Sequence, residues 1–167
     1  AIGSFSGAAN FAAGNSPQSV AIGNLNGDGN QDLAVANSSD DNVSILLGNG
    51  AGSFGAATNF AADDGPRSVA VGNFNAGSVL DLAGANLNAG SNPGVAVANN
   101  ISDDVSVLLG NGAGSFGTAT NFAAGDAPRS IAIGDLDADA SPDLAVVNFN
   151  SHDVSILLGN VAGTFSP

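Results

Sequence analysis

Short runs of alternating apolar residues recur along this chain, and Asn, Asp and Gly clusters separate them. SVAIG at 19–23 sets Val20 and Ile22 against Ser19, Ala21 and Gly23, and DLAVAN at 32–37 sets Leu33 and Val35 against Ala34 and Ala36. A period of two marks strands, and the polar clusters mark the turns between them. In the first unit the pattern predicts strands at about 19–24, 32–37, 43–48 and 54–61.

The pattern then repeats. NGAGSFGAATNFAA at 49–62 returns as NGAGSFGTATNFAA at 111–124, with weaker relatives opening the chain (AIGSFSGAANFAAG) and closing it (NVAGTFSP). Phe5, Phe54, Phe116 and Phe165 mark one position, at separations of 49, 62 and 49 residues. Four antiparallel strands per unit, with small residues beside large ones on a tapering sheet, predict an all-β fold, a β-propeller of four-stranded blades. The alternative is a β-sandwich carrying an accidental repeat. The longer middle spacing comes from a tandem duplication: NFNAGSVLDLAGAN at 73–86 and NLNAGSNPGVAVAN at 86–99 both align with NLNGDGNQDLAVAN at 24–37. One copy belongs to the blade and the other must be looped out or form an extra hairpin.

We therefore expect one domain over 1–167: an outer strand at 1–14 that completes a blade, then blades at 15–62, 63–124 (with the duplicated segment) and 125–167. Three blade equivalents cannot close a ring, since propellers need four to eight blades. Two readings follow. Either two chains form a head-to-tail, six-bladed homodimer in which each N-terminal strand completes the partner's last blade, or this is a piece of a longer propeller. The opening Ala1 in place of Met predicts a processed chain or a fragment.

Composition sharpens the picture. All fifteen acidic residues are Asp, there is no Glu, Lys, Cys, Met, Trp or Tyr, and two Arg leave a net charge of −13. Such a field repels nucleic acid and anionic membranes and attracts cations. No apolar run approaches the roughly 20 residues of a membrane helix, so no membrane insertion is expected. The Asp-rich composition suits a calcium-rich exterior.

The loops between the first two strands of each unit carry the candidate chemistry. NLNGDGNQD at 24–32 offers Asn24, Asn26, Asp28, Asn30 and Asp32, and DLDADASPD at 135–143 offers Asp135, Asp137, Asp139, Ser141 and Asp143. Oxygen ligands at alternate positions of a sharp loop converge on a hard dication, with position seven contributing its backbone carbonyl. Ca²⁺ is the expected ion; an Asx-rich hairpin turn is the alternative. In the middle unit Asn73, Asn75 and Asp81 keep the spacing but supply one carboxylate, so that loop is expected to be a degenerate, empty one.

Phe54–Gly55 and Phe116–Gly117, with Gly65–Pro66 and Gly125–Asp126–Ala127–Pro128, resemble the two halves of the FG-GAP (integrin α-subunit-like, VCBS-type) repeat. That family includes integrin α-subunit propellers, bacterial surface proteins and some fungal lectins. The resemblance implies structural calcium in the DxDxDGxxD loop, ligands bound elsewhere, and an extracellular or cell-surface location. The middle unit departs from the pattern.

No catalytic constellation is legible. His152, the sole histidine, lies in Ser151–His152–Asp153 at a turn position where the other units carry Asp40–Asp41 and Asp103–Asp104. Sequence neighbours on a turn diverge, so this is no triad. Arg67 and Arg129 follow Pro in two units and are expected to pair with nearby Asp63, Asp64 or Asp126; the alternative is that they line one rim and meet an anionic ligand. The sequence thus predicts a calcium-binding, non-enzymatic propeller that recognises a protein or glycan ligand in adhesion. A lectin is the second reading, weakened by the lack of Trp and Tyr for stacking on sugar. A non-catalytic fragment of a secreted enzyme is the third.

Overall fold

The structure is a computed structural model that describes residues 7–72 and 94–167. Twelve strands form three four-stranded antiparallel sheets, and no helix occurs among the described residues. The first sheet contains β1 (Pro17–Gly23), β2 (Asp32–Asn37), β3 (Asn42–Leu46) and β4 (Thr58–Ala61). The second contains β5 (Pro66–Gly72), β6 (Gly94–Asn99), β7 (Asp104–Leu108) and β8 (Thr120–Ala123). The third contains β9 (Pro128–Gly134), β10 (Asp143–Asn148), β11 (Asp153–Gly159) and the two-residue β12 (Phe165–Ser166). Sheet order follows chain order in each, as in the blades of a propeller.

Each inner strand opens on a proline, and the register of its ladder shifts beside that proline in all three sheets. Proline cannot donate to the ladder, so it sits at a strand start or bulge. Blade faces then stack. Ala34, Ala36, Val43 and Ile45 of the first blade meet Val69, Val71, Val95 and Val97 of the second in one core. Ala96, Val105 and Val107 on the far side of the second blade meet Leu144, Val146, Ile131 and Ile133 of the third in another. Small residues on one face against large ones on the next let the sheets approach closely, as the alternation implied.

The duplicated segment resolves in part. The second copy, Gly94–Asn99, is the strand that pairs with β5 and β7; the first copy lies outside the described residues. One expectation needs correction. The strand expected at 54–61 is shorter, since Phe54 makes only an isolated bridge to Gly48 and the ladder resumes at Thr58. Of the outer strand expected at 1–14, residues 7–14 are described; they pair with no sheet of their own copy, and only Gly14 is more than marginally covered.

Candidate metal centre

Each candidate loop leaves an inner strand at its glycine and returns through an aspartate that begins the second strand. Those aspartates, Asp32 and Asp143, are fully buried. Asp32 accepts from Leu25 N at 2.7 Å and Gly48 N at 2.8 Å, one bond on each carboxylate oxygen. Asp143 repeats this with Leu136 N at 2.6 Å and Gly159 N at 2.8 Å. The carboxylate thereby ties the loop to the end of the third strand. Glycine is required at the receiving end, because a Cβ on Gly48 or Gly159 would collide with the carbonyl of Gln31 or Pro142. The middle blade has Gly94 at this place and lacks the clamp.

Within the loops, side-chain oxygens accept from backbone amides two to five residues on. In the first loop, Asn24 takes Gly27 N, Asn26 takes Asp28 N and Asp28 takes Asn30 N, at 2.7 to 3.0 Å. The Asn30 amide holds the Asp28 carboxyl below its usual range, helped by the Asn26 and Asn30 side chains. In the third-blade loop, Asp135 takes Ala138 N at 2.8 Å and Ala140 N at 3.2 Å, Asp137 takes Asp139 N at 3.1 Å and Asp139 takes Ser141 N at 2.7 Å. Both loops turn through left-handed residues: Gly27 and Gly29 at φ 75° and 87°, Ala138 and Ala140 at 66° and 68°. Glycine adopts this conformation freely and alanine does so under strain.

The third-blade loop brings carboxylate oxygens of Asp135, Asp137 and Asp143 within 4.8 Å of one another. Like charges so close cost about 1 to 4 kcal/mol per pair at effective dielectrics between water and a protein surface. A divalent cation relieves that repulsion. Two observations fit such an ion here: the three-carboxylate donor set suits a hard cation, and Ser141 Oγ is buried without a hydrogen-bond partner. Asp139, expected as a fourth ligand, stands outside the close group. In the first loop Asn24 and Asn26 replace two of the acids, leaving Asp28 and Asp32 as its carboxylates. Asn73, Asn75 and Asp81 lie outside the described residues.

Two surface features differ from expectation. Arg129 makes no ion pair among the described residues; its guanidinium lies 3.5 Å from the centroid of the Phe149 ring, which is half exposed. Arg67 is exposed and likewise shows no ion pair among the described residues. The apolar ring outcompetes a solvated carboxylate, since an exposed ion pair is worth little. A groove of about 460 Å³ runs between the outer strands of the first and second blades, lined by Asn59, Phe60, Phe116, Thr118 and Asn121 among others.

Sequence reasoning missed a buried polar chain that crosses the blades. Asn37 Nδ2 donates to Ser44 Oγ at 2.8 Å, and Ser44 Oγ donates to Asn59 Oδ1 at 2.8 Å. Asn99, Ser106 and Asn121 repeat it at 2.8 and 2.9 Å. Asn148 and Ser155 begin it again in the third blade at 2.8 Å. The signal was the fixed Asn and Ser in DLAVAN, NVSILL and TNFAA, polar residues at positions whose neighbours are core.

No curated protein matches the chain. The family pattern for the FG-GAP-like repeat matches residues 24–83 and 91–146, which is more than half of the sequence. Those two stretches include both clamped loops, the inner strands β5 and β9 and most of the blade-to-blade core residues just described. The chain belongs to the FG-GAP repeat family.

Proposed function

We propose that this chain is a calcium-stabilised, non-enzymatic propeller segment that presents a recognition surface in the extracellular space or at a cell surface. The carboxylate triad of Asp135, Asp137 and Asp143 carries the reading. Calcium bound there rigidifies the loop and leaves ligand recognition, of a protein or a glycan, to other surfaces of a closed ring. The first loop provides a weaker second site through Asp28, Asp32, Asn24, Asn26 and the Asn30 carbonyl. Closure by two chains gives six blades. His152 supports the non-enzymatic reading: it is an exposed turn residue at φ 60°, and the adjacent Ser151 hydroxyl donates to Asp153 at 2.9 Å.

Calorimetric titration of the 167-residue protein with Ca²⁺ tests this. Two sites of unequal affinity are expected, and Asp137→Ala should remove the tighter one. Asp139→Ala should weaken it less, because its carboxylate lies outside the triad. No heat of binding, or three equal sites, would refute the reading. A lectin is the second reading, favoured by the groove between the outer strands, where Asn59, Thr118 and Asn121 border Phe60 and Phe116. A glycan array with and without calcium separates the two.

A further inference from the structure

The two ends of the arc are complementary. At both blade-to-blade cores, strands two and three of one blade cover strands one and two of the next. The same two kinds of face remain uncovered at the ends. On the first blade Val20 and Ile22 are 56% and 63% exposed, while their counterparts Val69 and Val71 are 6%. On the third blade Val154 and Ile156 are 55% and 41% exposed, while their counterparts Val105 and Val107 are 0% and 2%.

The strands are complementary too. β4 pairs with Asn42–Ile45 and β8 with Asp104–Val107. The matching stretch Asp153–Ile156 has no outer strand among the described residues, because β12 repeats the Phe54 and Phe116 bridges rather than β4 and β8. Meanwhile Ala9–Asn10–Phe11–Ala12, which reads like Thr58–Asn59–Phe60–Ala61, is unpaired and exposed. Its position is nonetheless that of an outer strand. Phe11 packs edge-on against Phe54 at 5.2 Å, as Phe60 does against Phe116 at 5.3 Å and Phe122 against Phe165 at 5.2 Å. The residues at 9–12 therefore stand where a blade preceding the first would place its last strand.

We propose that two copies of this chain close head to tail by exchanging this strand. Residues 9–12 of each copy add to Asp153–Ile156 of the other, with Ala12 opposite Asp153, Phe11 opposite Val154, Asn10 opposite Ser155 and Ala9 opposite Ile156. This is the register of Asn42–Ile45 with Thr58–Ala61. Asn10 then accepts from Ser155 Oγ, completing the polar chain that Ser44 and Ser106 complete within their own blades. Ser130 Oγ receives the Val20 amide of the second copy, as Ser19 receives Val69 N at 3.4 Å and Ser68 receives Ile131 N at 3.3 Å. The occupant of each bare face is the opposite bare face, because the interface continues a packing the chain already makes twice. A head-to-tail contact of this kind closes when the rotations sum to a full turn, and six blades fall within the propeller range.

The inference rests on the ring closed by two chains proposed above, and the test separates them. Light scattering of the 167-residue protein should give twice the 16.0 kDa chain mass. The chain has no cysteine, so an Asn10→Cys, Ser155→Cys variant reports register cleanly: on oxidation it should cross-link into a covalent dimer, at least tenfold more than an Asn10→Cys, Val154→Cys control. Should the cysteine variant fail to fold, Val154→Asp should convert the particle to monomer with its β circular dichroism intact. A dimer with no register-specific cross-link overturns strand exchange and leaves the ring. A monodisperse monomer, or open-ended polymers, overturns both and assigns the bare faces to other chains or further blades.

Discussion

The second and third blades carry almost the same third strand, DVSVLLGN at 104–111 and DVSILLGN at 153–160, yet the two strands live in different surroundings. β7 is buried along its whole length, whereas Asp153, Val154 and Ile156 of β11 are exposed. The aspartates at the head of these strands diverge accordingly. Burial raises the Asp104 carboxyl, and nearby Asp63 adds to the shift. Hydrogen bonds from Asn148 and Ser151 lower Asp153, which stays in solvent. Sequence therefore sets what a strand is, and the neighbouring blade sets what it experiences. In a repeat fold, stability is a sum of unit terms and interface terms, and among the described residues of one copy Val20, Ile22, Val154 and Ile156 have no neighbouring blade over them.

The largest effect belongs to the clamp that separates the first and third blades from the second. Asp143→Ala leaves the amides of Leu136 and Gly159 unsatisfied in the interior. Each orphaned donor costs about 1 to 3 kcal/mol, so a loss of about 4 kcal/mol is expected in denaturant unfolding. Asp32→Ala should behave alike. A negligible loss would mean that the unclamped arrangement at Gly94 serves every blade equally well.

Next comes the interface itself. Val105→Ala removes two buried methyl groups and should cost about 2 kcal/mol, including the cavity left behind. Val154→Ala at the same repeat position should cost less than about 0.5 kcal/mol in dilute monomer. Raising the protein concentration sharpens the contrast: if the bare face becomes covered, the two costs converge. Equal costs at high dilution would break the comparison.

Much of this was legible from the chain. Alternation in SVAIG and DLAVAN placed the first three strands of the unit to within two residues, because small-against-large packing between blades demands it, while the fourth begins four residues later than expected. The loops at 24–32 and 135–143 announced themselves by oxygen spacing. Three features were not legible. Asp32 and Asp143 looked like ninth-position ligands, and their amide bonds to Gly48 and Gly159 depend on a strand sixteen residues away. Arg129 sits beside Asp126 in sequence, but Phe149 reaches it across the blade top. Residues 9–12 carry a strand's pattern without a ladder, since pairing depends on a partner that sequence alone does not supply.

A smaller, pH-dependent effect follows from the paired aspartates. Because the Asp104 carboxyl is raised in the folded state, its contribution to stability is present below the usual carboxylate value and is lost as pH rises through the elevated one. Asp104→Asn should therefore raise stability at neutral pH and flatten that decline. The first blade supplies the precedent: Asn42 Oδ1 accepts from Asn37 at 2.8 Å where Asp104 accepts from Asn99 at 2.7 Å. Asp153→Asn should act in the opposite sense. Its lowered carboxyl contributes above the usual value and loses that contribution as pH falls through the depressed one. Thermal unfolding between pH 3 and 8 (roughly the range over which carboxylates titrate) checks both signs.

The smallest effect compares the two metal loops residue for residue. Ala140 holds φ 68° where the first loop has Gly29 at 87°. A left-handed alanine costs about 1 to 2 kcal/mol, and the entropy of a glycine replacement returns about 0.5 to 1 kcal/mol of that. Ala140→Gly should thus stabilise the loop by about 0.5 kcal/mol, seen as a small rise in the unfolding midpoint. Gly29→Ala should lower it by a similar amount, and steric clash adds nothing because no atom lies within 4 Å of the added methyl. The third-blade loop keeps both the strain and the densest carboxylate cluster. If calcium holds that loop, the gain from Ala140→Gly appears in full only when the ion is chelated. An equal gain with and without calcium would separate the strain from the metal and leave the triad unlinked to the backbone that carries it.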